Sequence, residues 1–251
     1  MRLTIGPRGG VSIERRLVSA GGGRVSLAQT FRGSGVRAVV THGASIATEI
    51  KVVEGTLSFP LAGGEVSGPE RFLLCVPPRS ALRMRFAGAW VESVGTAVLG
   101  AKGGGRAFLV PGAGLADGPE DDRDDPIDGA WRIEIDADRG VARPVRAARA
   151  ALHELLTHPA PVRAAARRIG VAPETLTRGF SRAYGLSPKQ YCQRARVFEA
   201  VLRLLAGEAV IEAGLAAGFA DLGRFYAAFR RIVGSTPGGY ARIRNRQDRR
   251  P

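Results

Sequence analysis

The chain has 251 residues, which is long enough for two domains that each bury a core of their own. It carries a formal net charge of +14, and this excess indicates a polyanionic partner, either nucleic acid or a membrane surface. Residues 1–10 lack the apolar stretch of a signal peptide, and no window offers about 18 apolar residues free of charge. We therefore expect neither secretion nor a membrane-spanning helix.

Most of the positive charge lies in the C-terminal part of the chain. Residues 1–142 contain 17 basic and 16 acidic side chains, for a net charge of +1, whereas residues 143–251 contain 20 and 7, for a net charge of +13. The polyanion is therefore expected to bind the C-terminal part. Cys75 lies in an apolar run and Cys192 in a polar helical stretch, so we expect two separate thiols and a cytoplasmic protein.

Short runs rich in β-branched and aromatic residues dominate the chain between residues 36 and 110. The runs are 36–40, 50–53, 56–59, 71–76, 82–86 and 90–94. Turn residues, such as the two prolines after Val76, separate many of these runs. The regular spacing predicts a small barrel or sandwich. We assign this β-rich domain to residues 1–111 and expect an α+β chain, because the pattern becomes helical further on.

Residues 112–142 connect the two parts. Their first 18 residues, 112–129, hold seven acidic side chains against one arginine and almost no large apolar residue, which predicts a solvated linker. The alternation at 131–135 that follows predicts a short strand at the edge of the sheet.

Residues 162–183 have the pattern of a helix-turn-helix unit. Ala166 stands four residues before Gly170, and its small side chain allows two helices to cross closely. Gly170 supplies the positive φ that a three-residue turn requires. Leu176 and Phe180 then mark the inner face of the second helix. The outer face of that helix carries Glu174, Thr175, Thr177, Arg178 and Arg182.

The same pattern recurs 48 residues later, at residues 210–231. Gly218 occupies the turn, and Asp221 is placed to cap the helix that follows. Phe225 and Phe229 face inward. One helix-turn-helix pattern is a weak signal, but two in register on the basic part of the chain indicate a DNA-binding domain.

The segments around the two units support this interpretation. Gly185-Leu-Ser-Pro188 after the first unit corresponds to Gly234-Ser-Thr-Pro237 after the second. Between the units, residues 188–205 predict one helix, roughly 27 Å long at 1.5 Å per residue. That length is close to one turn of B-DNA, about 34 Å, so two recognition helices can enter successive major grooves on one face of the duplex.

With these motifs, residues 146–245 resemble the AraC/XylS family of transcription regulators. The resemblance rests on the segments 166–180 and 185–188 and on Arg196, Ala200, Leu204, Leu205, Gly218, Phe219, Asp221, Phe225, Phe229, Gly234 and Pro237. It implies a seven-helix, two-lobed domain, here residues 143–251, that binds double-stranded DNA at a promoter. RNA polymerase and a second copy of the chain are further partners that fit such a regulator.

The resemblance also implies which side chains contact DNA. It assigns base readout to Glu174, Thr177 and Arg178 in the first unit and to Leu222, Gly223, Tyr226 and Ala227 in the second. The second set departs from the family pattern, which commonly has polar readers at the positions of Leu222 and Gly223 and an arginine at that of Ala227; an alanine is usual at the position of Gly214. We expect phosphate contacts from Arg182, Arg224, Arg230 and Arg231, which add affinity with little sequence information.

The β-rich domain resembles, in layout only, the cupin-like barrels that precede such DNA-binding domains and that bind a small molecule or pair two chains. An enzymatic cupin needs a cluster of His and carboxylate ligands, yet His42 is the only histidine of the strand region. We therefore expect no metal, no cofactor and no catalysis.

The sequence favours a promoter-binding transcription regulator controlled by a small molecule or by dimerisation. One alternative is a regulator that sequesters a partner and reads DNA poorly. Another is a cupin enzyme that converts a small molecule and is tethered to DNA by its helical part.

Overall fold

A computed structural model describes residues 2–8, 11–21, 24–41, 44–59, 64–68, 70–99, 107–111, 133–135, 138 and 140–247. The acidic segment 112–132 and His42, both singled out in the sequence, lie outside these residues. The described part is β-rich up to Ile135 and helical from Arg143, which confirms the predicted α+β chain.

The strands form one antiparallel sheet. They are β1 (Arg2–Arg8), β2 (Val11–Gly21), β3 (Arg24–Val40), β4 (Ala44–Phe59), β5 (Gly64–Ser67), β6 (Glu70–Val76), β7 (Ala81–Leu99), β8 (Ala107–Pro111) and β9 (Ile133–Ile135). Their order is β1-β2-β3-β7-β4-β6-β8-β9, and β5 pairs with β4. Strand β9, which follows the acidic segment, pairs antiparallel with β8 at the end of the sheet.

In two cases, a pair of runs that the sequence predicts as separate strands forms one continuous strand in the structure. The runs 50–53 and 56–59 both belong to β4, and the runs 82–86 and 90–94 both belong to β7. The pairing of β4 with β7 shifts register at Glu54, between Val52 and Thr56. Such irregularities bend a strand without ending it, so a local break in the pattern does not mark a turn here.

Two glycines make this bend possible. Gly55 has φ +71° and Gly88, opposite in β7, has φ +55°, both in the region that side chains disfavour. A Cβ atom on Gly55 would collide with the backbone carbonyl of Gly88. The two strands therefore approach each other so closely at this point that one of them has no room for a side chain.

The sheet buries a core of its own on one face. Alternate residues of β6 and β7, among them Phe72, Leu74, Met84 and Phe86, point into one apolar cluster. The rings of Phe31 and Phe86 stack within it, with centroids 5.4 Å apart. This cluster draws on β3, β4, β6 and β7 together.

Seven helices follow in the described part of the chain. They are α1 (Arg143–Glu154), α2 (Pro161–Arg168), α3 (Pro173–Tyr184), α4 (Pro188–Ala206), α5 (Val210–Ala216), α6 (Leu222–Val233) and α7 (Pro237–Gln247). None of the helices in the described residues is both long enough and apolar enough to span a bilayer.

Local signals fix where several of these helices begin and end. Ser187 caps α4 in a reciprocal box with Gln190, and the side chain of Asp221 caps α6 by accepting from the amide of Arg224 at 2.9 Å. Gly185 and Gly234 end α3 and α6 in the left-handed conformation.

Helix α4 belongs to two separate cores. Its first half contributes Tyr191 and Ala195 to a core shared with α1, α2 and α3. Its second half contributes Ala200 and Leu204 to a core shared with α5, α6 and α7. The helical region therefore has two lobes that are joined along one continuous helix of 19 residues.

The sheet contacts the first lobe directly. Val40 and Ala81 are buried in the core of that lobe, although both belong to strands. Arg149 of α1 pairs with Asp138 at 2.6 Å and donates to the carbonyl oxygen of Arg79 at 3.1 Å. Asp138 also accepts from the hydroxyl of Tyr184, the last residue of α3, at 2.8 Å.

Replacing Gly55 by Ala should lower the free energy of unfolding by about 3 kcal/mol, because the methyl group adds a backbone collision to a strained φ. Gly88→Ala is the matched control and should cost about 1 kcal/mol, since the space around Gly88 is open and only the φ penalty remains. Urea denaturation of both variants measures the difference. Equal losses would contradict the close approach of β4 and β7.

Candidate nucleic-acid interface

Helices α2 and α3 form the first helix-turn-helix unit. Ala165 and Ala166 are buried where α2 meets the core, so the two helices approach without large side chains between them. Gly170 takes φ +71° in the turn, and the amide of Val171 donates to the carbonyl oxygen of Ala166 at 3.0 Å. The turn leads directly into Pro173, the first residue of α3.

The residues assigned to base readout in this unit lie on one exposed side of α3. Glu174 and Arg178 are exposed, one helical turn apart. Thr177 is half-buried, and its hydroxyl donates to the carbonyl oxygen of Pro173 at 2.8 Å. The oxygen of this hydroxyl can still accept a hydrogen bond, and its methyl group can contact a thymine methyl. Leu176 and Phe180 lie on the opposite side and are buried.

Helices α5 and α6 form the second unit, with a tighter crossing. A Cβ atom on Gly214 of α5 would lie 2.7 Å from the ring of Phe225 in α6. The alanine that is usual at this position in the family would therefore collide with the ring, whereas Gly214 leaves room for it. Gly218 takes φ +91° in the turn, and a Cβ atom there would lie 3.0 Å from the Cα of Thr157.

The four residues of α6 assigned to base readout offer few hydrogen-bonding side chains. Gly223, Tyr226 and Ala227 are exposed, and Leu222 is half-buried. Tyr226 is the only one of these four with a polar side chain, and its ring packs edge-on against Phe225. Inside, Phe225 and Phe229 are fully buried, while Phe219 and Pro237 are also buried in this lobe.

The four arginines assigned to phosphate contacts do not share one environment. Arg182, Arg224 and Arg230 are exposed on α3 and α6. Arg231 is exposed as well, but its guanidinium donates to the side-chain oxygen of Gln193 on α4. It also borders a cavity between the sheet and the helices. Arg182 lies near the sheet, because its carbonyl oxygen accepts from Arg83 at 3.5 Å.

Arg196 of α4 contacts both lobes of the helical region. Its guanidinium donates to the carbonyl oxygens of Leu156 at 2.7 Å and His158 at 3.1 Å, in the connection between α1 and α2. The same group lies 5.9 Å from the ring centroid of Phe219, at the turn of the second unit. Burial lowers the pKa of this guanidinium below its ordinary value, but an arginine remains charged at neutral pH.

Sequence reasoning missed two arginines at the cavity between the sheet and the helices. They are Arg37 of β3 and Arg194 of α4, which line it with Arg231. The one signal in the sequence is that Arg194 stands between Cys192 and Ala195, two residues of the apolar face of α4. A charged side chain at the border of an apolar stripe often marks a contact with another element.

Other reactive groups in the described residues are few. No cluster of His, Cys, Asp and Glu with the arrangement of a metal site occurs among them. Burial raises the pKa of the Cys75 thiol to about 12 and that of Cys192 to about 11, so both stay protonated at neutral pH. A buried neutral thiol is a poor nucleophile.

The sequence of the helical region matches a known family of domains. Residues 165–243 match the model of a helix-turn-helix domain of the AraC type. This range spans both units, from the end of α2 into α7. A comparison with curated proteins finds no match for the chain.

Solved structures with a related layout include whole regulators and separate domains. ToxT from Vibrio cholerae has 10% identity and a TM-score of 0.47 over 93% of this chain and 98% of its own. The C-terminal domain of AraT, a response regulator from Geobacillus stearothermophilus, has 24% identity and a TM-score of 0.40 over 41% of this chain and 88% of its own. A cupin 2 conserved barrel domain protein from Rhodopseudomonas palustris has 14% identity and a TM-score of 0.30 over 43% of this chain and 74% of its own.

Arg196→Lys should lower the free energy of unfolding by about 2 kcal/mol, because an ammonium group cannot donate to both carbonyl oxygens and also lie over the ring. Arg203→Lys, on the same helix, is the control. Arg203 pairs with Glu199 and Glu208 nearer the surface. Its replacement by lysine should therefore lower the free energy of unfolding by under about 1 kcal/mol. Urea denaturation followed by circular dichroism compares them, and similar losses would refute the bridging role of Arg196.

Proposed function

Residues 165–243 of this chain are an AraC-type helix-turn-helix domain, and from that premise we propose that the chain regulates transcription by docking α3 and α6 on a promoter. The sequence alternatives, a partner-sequestering protein and a tethered enzyme, receive no support from this match. We infer that the protein acts on DNA without catalysing a reaction, in the cytoplasm, where its two free thiols stay reduced.

The observation that carries this proposal is the way α4 holds two helix-turn-helix units. Its 19 residues extend about 28 Å at 1.5 Å per residue, and each end is buried in a different lobe. Both recognition helices present an exposed outer face with arginines beside it. Two such helices, held by one rigid element, suit two successive major grooves of one duplex.

We assign unequal tasks to the two recognition helices. On α3, Arg178 can donate two hydrogen bonds to a guanine, and Glu174 can accept from the amino group of a cytosine. On α6, Tyr226 is the one polar side chain among the four residues expected to face bases. We therefore infer that α3 supplies most of the sequence discrimination, while Arg224 and Arg230 add affinity through phosphates.

We assign control to the N-terminal sheet. In this proposal residues 1–111 are the regulatory domain, residues 112–142 connect it, and residues 143–251 bind DNA. Contacts between the sheet and the first lobe, through Val40, Ala81 and Arg149, give the sheet a physical route to the DNA-binding helices. A small-molecule effector, or pairing of two chains, would act by changing these contacts, and RNA polymerase is the partner that a bound activator would engage.

Arg178→Ala should weaken binding to the preferred site by about 1 to 3 kcal/mol and relax discrimination at one base pair, because a bidentate base contact is lost. Arg224→Ala should weaken binding to all sequences about equally, as the loss of a phosphate contact does. Selection of binding sites from random DNA, with each variant and with the parent, measures both effects.

Arg71→Ala is the control for the loss of one positive charge, because Arg71 is exposed on β6 and pairs with Glu49 on the sheet. It should leave both affinity and site preference close to those of the parent. Equally sharp preferences in both halves of the selected site, or a loss at one base pair with Arg224→Ala, would show that the readers are misassigned.

The affinity of the full chain for DNA should fall steeply with salt. If Arg182, Arg224 and Arg230 each neutralise one phosphate, the association constant should drop about forty-fold between roughly 50 and 200 mM salt, because counterions are released on binding. Fluorescence anisotropy with a labelled duplex gives the slope, and Arg230→Ala should make it shallower by about one unit. A salt-independent affinity would exclude phosphate contacts as the main source of binding.

A further inference from the structure

Helix α5 exposes a pair of apolar side chains that no assigned DNA contact involves. Among the described residues, three large apolar side chains are exposed: Ile211 at 54%, Leu215 at 53% and Tyr226 at 37%. Ile211 and Leu215 are four residues apart, so both lie on one face of α5. The opposite face, with Ala213 and Gly214, is buried. Two large side chains on the solvent face of so short a helix form a patch, unlike the single exposed residues that are usual on protein surfaces.

The internal repeat shows which side chains this patch replaces. The turn glycines of the two units are 48 residues apart. This offset places Ile211 at the position of Arg163 and Leu215 at the position of Arg167. Both arginines are exposed on α2. The same solvent face therefore carries two positive charges in the first unit and two aliphatic side chains in the second.

This difference separates the two faces by function, because the first helix of a helix-turn-helix unit crosses the DNA backbone. The guanidinium groups of Arg163 and Arg167 on α2 are suited to phosphates. Ile211 and Leu215 cannot donate to a phosphate, and the carboxylate of Glu212 beside them would repel one. The outer face of α5 therefore does not repeat the contact that α2 is suited to make, and its apolar side chains favour another apolar surface.

The charge of α5 also differs from that of its surroundings. Residues 143–251 carry a net charge of +13, yet α5 contains Glu212 and no basic side chain. Glu212 is exposed next to Ile211, and no described residue pairs with it. Glu208, just before the helix, pairs with Arg203 of α4 at 2.9 Å. The unpaired charge of the patch is therefore negative, and an apolar surface with a basic rim complements it.

We propose that the outer face of α5 binds a helix of a different protein, one in which a stripe of apolar side chains is flanked by lysine or arginine. The stripe would cover Ile211 and Leu215, and a basic side chain would pair with Glu212. Ala209 and Ala216 are exposed at either end and are small, so they leave room for a helix along α5. The exclusion of phosphates rests on the proposed function, whereas the apolar patch and its negative charge do not.

A second copy of the chain fits this face less well. Twofold pairing of two α5 helices would bring two Glu212 carboxylates into one interface, where like charges oppose association. The described part of the chain exposes no other pair of large apolar side chains on one helix that could serve instead. A protein of another sequence is therefore the occupant that the patch favours.

The test is fluorescence anisotropy of labelled helical peptides with the full chain, without DNA. Three peptides share one stripe of leucines, which is flanked by lysine in the first, by glutamine in the second and by glutamate in the third. A fourth peptide keeps the lysines and has alanine in place of leucine. The lysine peptide should bind about threefold more tightly than the glutamine peptide, because it adds an ion pair with Glu212, and the fourth peptide should not bind.

Substitutions in α5 show whether the peptide binds there. Ile211→Ala combined with Leu215→Ala should weaken binding of the lysine peptide about tenfold, because the apolar contact is lost. Glu212→Gln should remove the preference for the lysine peptide over the glutamine peptide. The net charge of +14 attracts the glutamate peptide to other parts of the chain, but its binding should respond to neither change. All three residues are exposed, so the melting temperatures should stay those of the parent.

Matched controls come from other parts of the chain. Arg163→Ala combined with Arg167→Ala alters the equivalent positions of α2 and should leave binding of the lysine peptide unchanged. Glu70→Gln removes an exposed carboxylate of β6 and is the control for Glu212→Gln. Analytical ultracentrifugation should give the same mass for the parent and for the double variant of α5, because the face does not join two copies.

The inference is overturned if the lysine peptide does not bind, if its binding does not depend on Ile211 and Leu215, or if the α5 substitutions weaken the glutamate peptide instead. A lower mass of the double variant would show that the face pairs two copies, which would overturn it as well. The titrations contain no DNA, so a chain that binds the peptide but no promoter would overturn the proposed function alone. A chain that binds DNA but no peptide would overturn the docking face alone.

Discussion

Helix α4 is the constraint on which the DNA-binding region depends, because its two halves are buried in different cores. Each recognition helix packs in its own lobe. The position of α3 relative to α6 is therefore set by α4 and by the contacts that join the two lobes beside it. Arg196 supplies that crossing contact: it bonds to two carbonyl oxygens of the first lobe and lies over Phe219 of the second. An isolated turn of helix would not hold two lobes at a fixed separation, whereas a continuous helix with a partly buried charged contact does.

The first recognition helix is also anchored to the sheet. Tyr184 ends α3 and donates to Asp138, which in turn pairs with Arg149. Burial raises the pKa of the Tyr184 hydroxyl, so it remains a donor throughout the physiological range. Arg149 also donates to the carbonyl oxygen of Arg79, so that turn of the sheet is connected to α1 and, through Asp138, to the end of α3. A few directed bonds therefore link the sheet to the first lobe.

Much of the helical region could be predicted from sequence because its signals are local. Gly170 and Gly218 are needed for the backbone conformation of their turns, and Asp221 caps the helix that it precedes. The four-residue spacing of Leu176 and Phe180 defines the inner face of α3, regardless of which element packs against it. Gly214 shows the limit of this reasoning: its departure from the family pattern is visible in the sequence, but its reason, the ring of Phe225 against the backbone, requires the crossing of two helices.

The sequence by itself determined the two helix-turn-helix units, the long helix between them, the concentration of basic charge and the β-rich character of the first part. Only the tertiary structure decided that β4 and β7 continue through a bend, because Gly55 and Gly88 meet across two strands that are distant in sequence. It also decided that Val40 and Ala81 complete the core of a helical lobe. Arg37, Arg194 and Arg231 look like ordinary surface charges in the sequence, and they line one cavity because β3, α4 and α6 converge on it. Periodicity and capping act within a few residues, whereas this cavity is formed by residues as far apart in the chain as Arg37 and Arg231, about which local pattern carries no information.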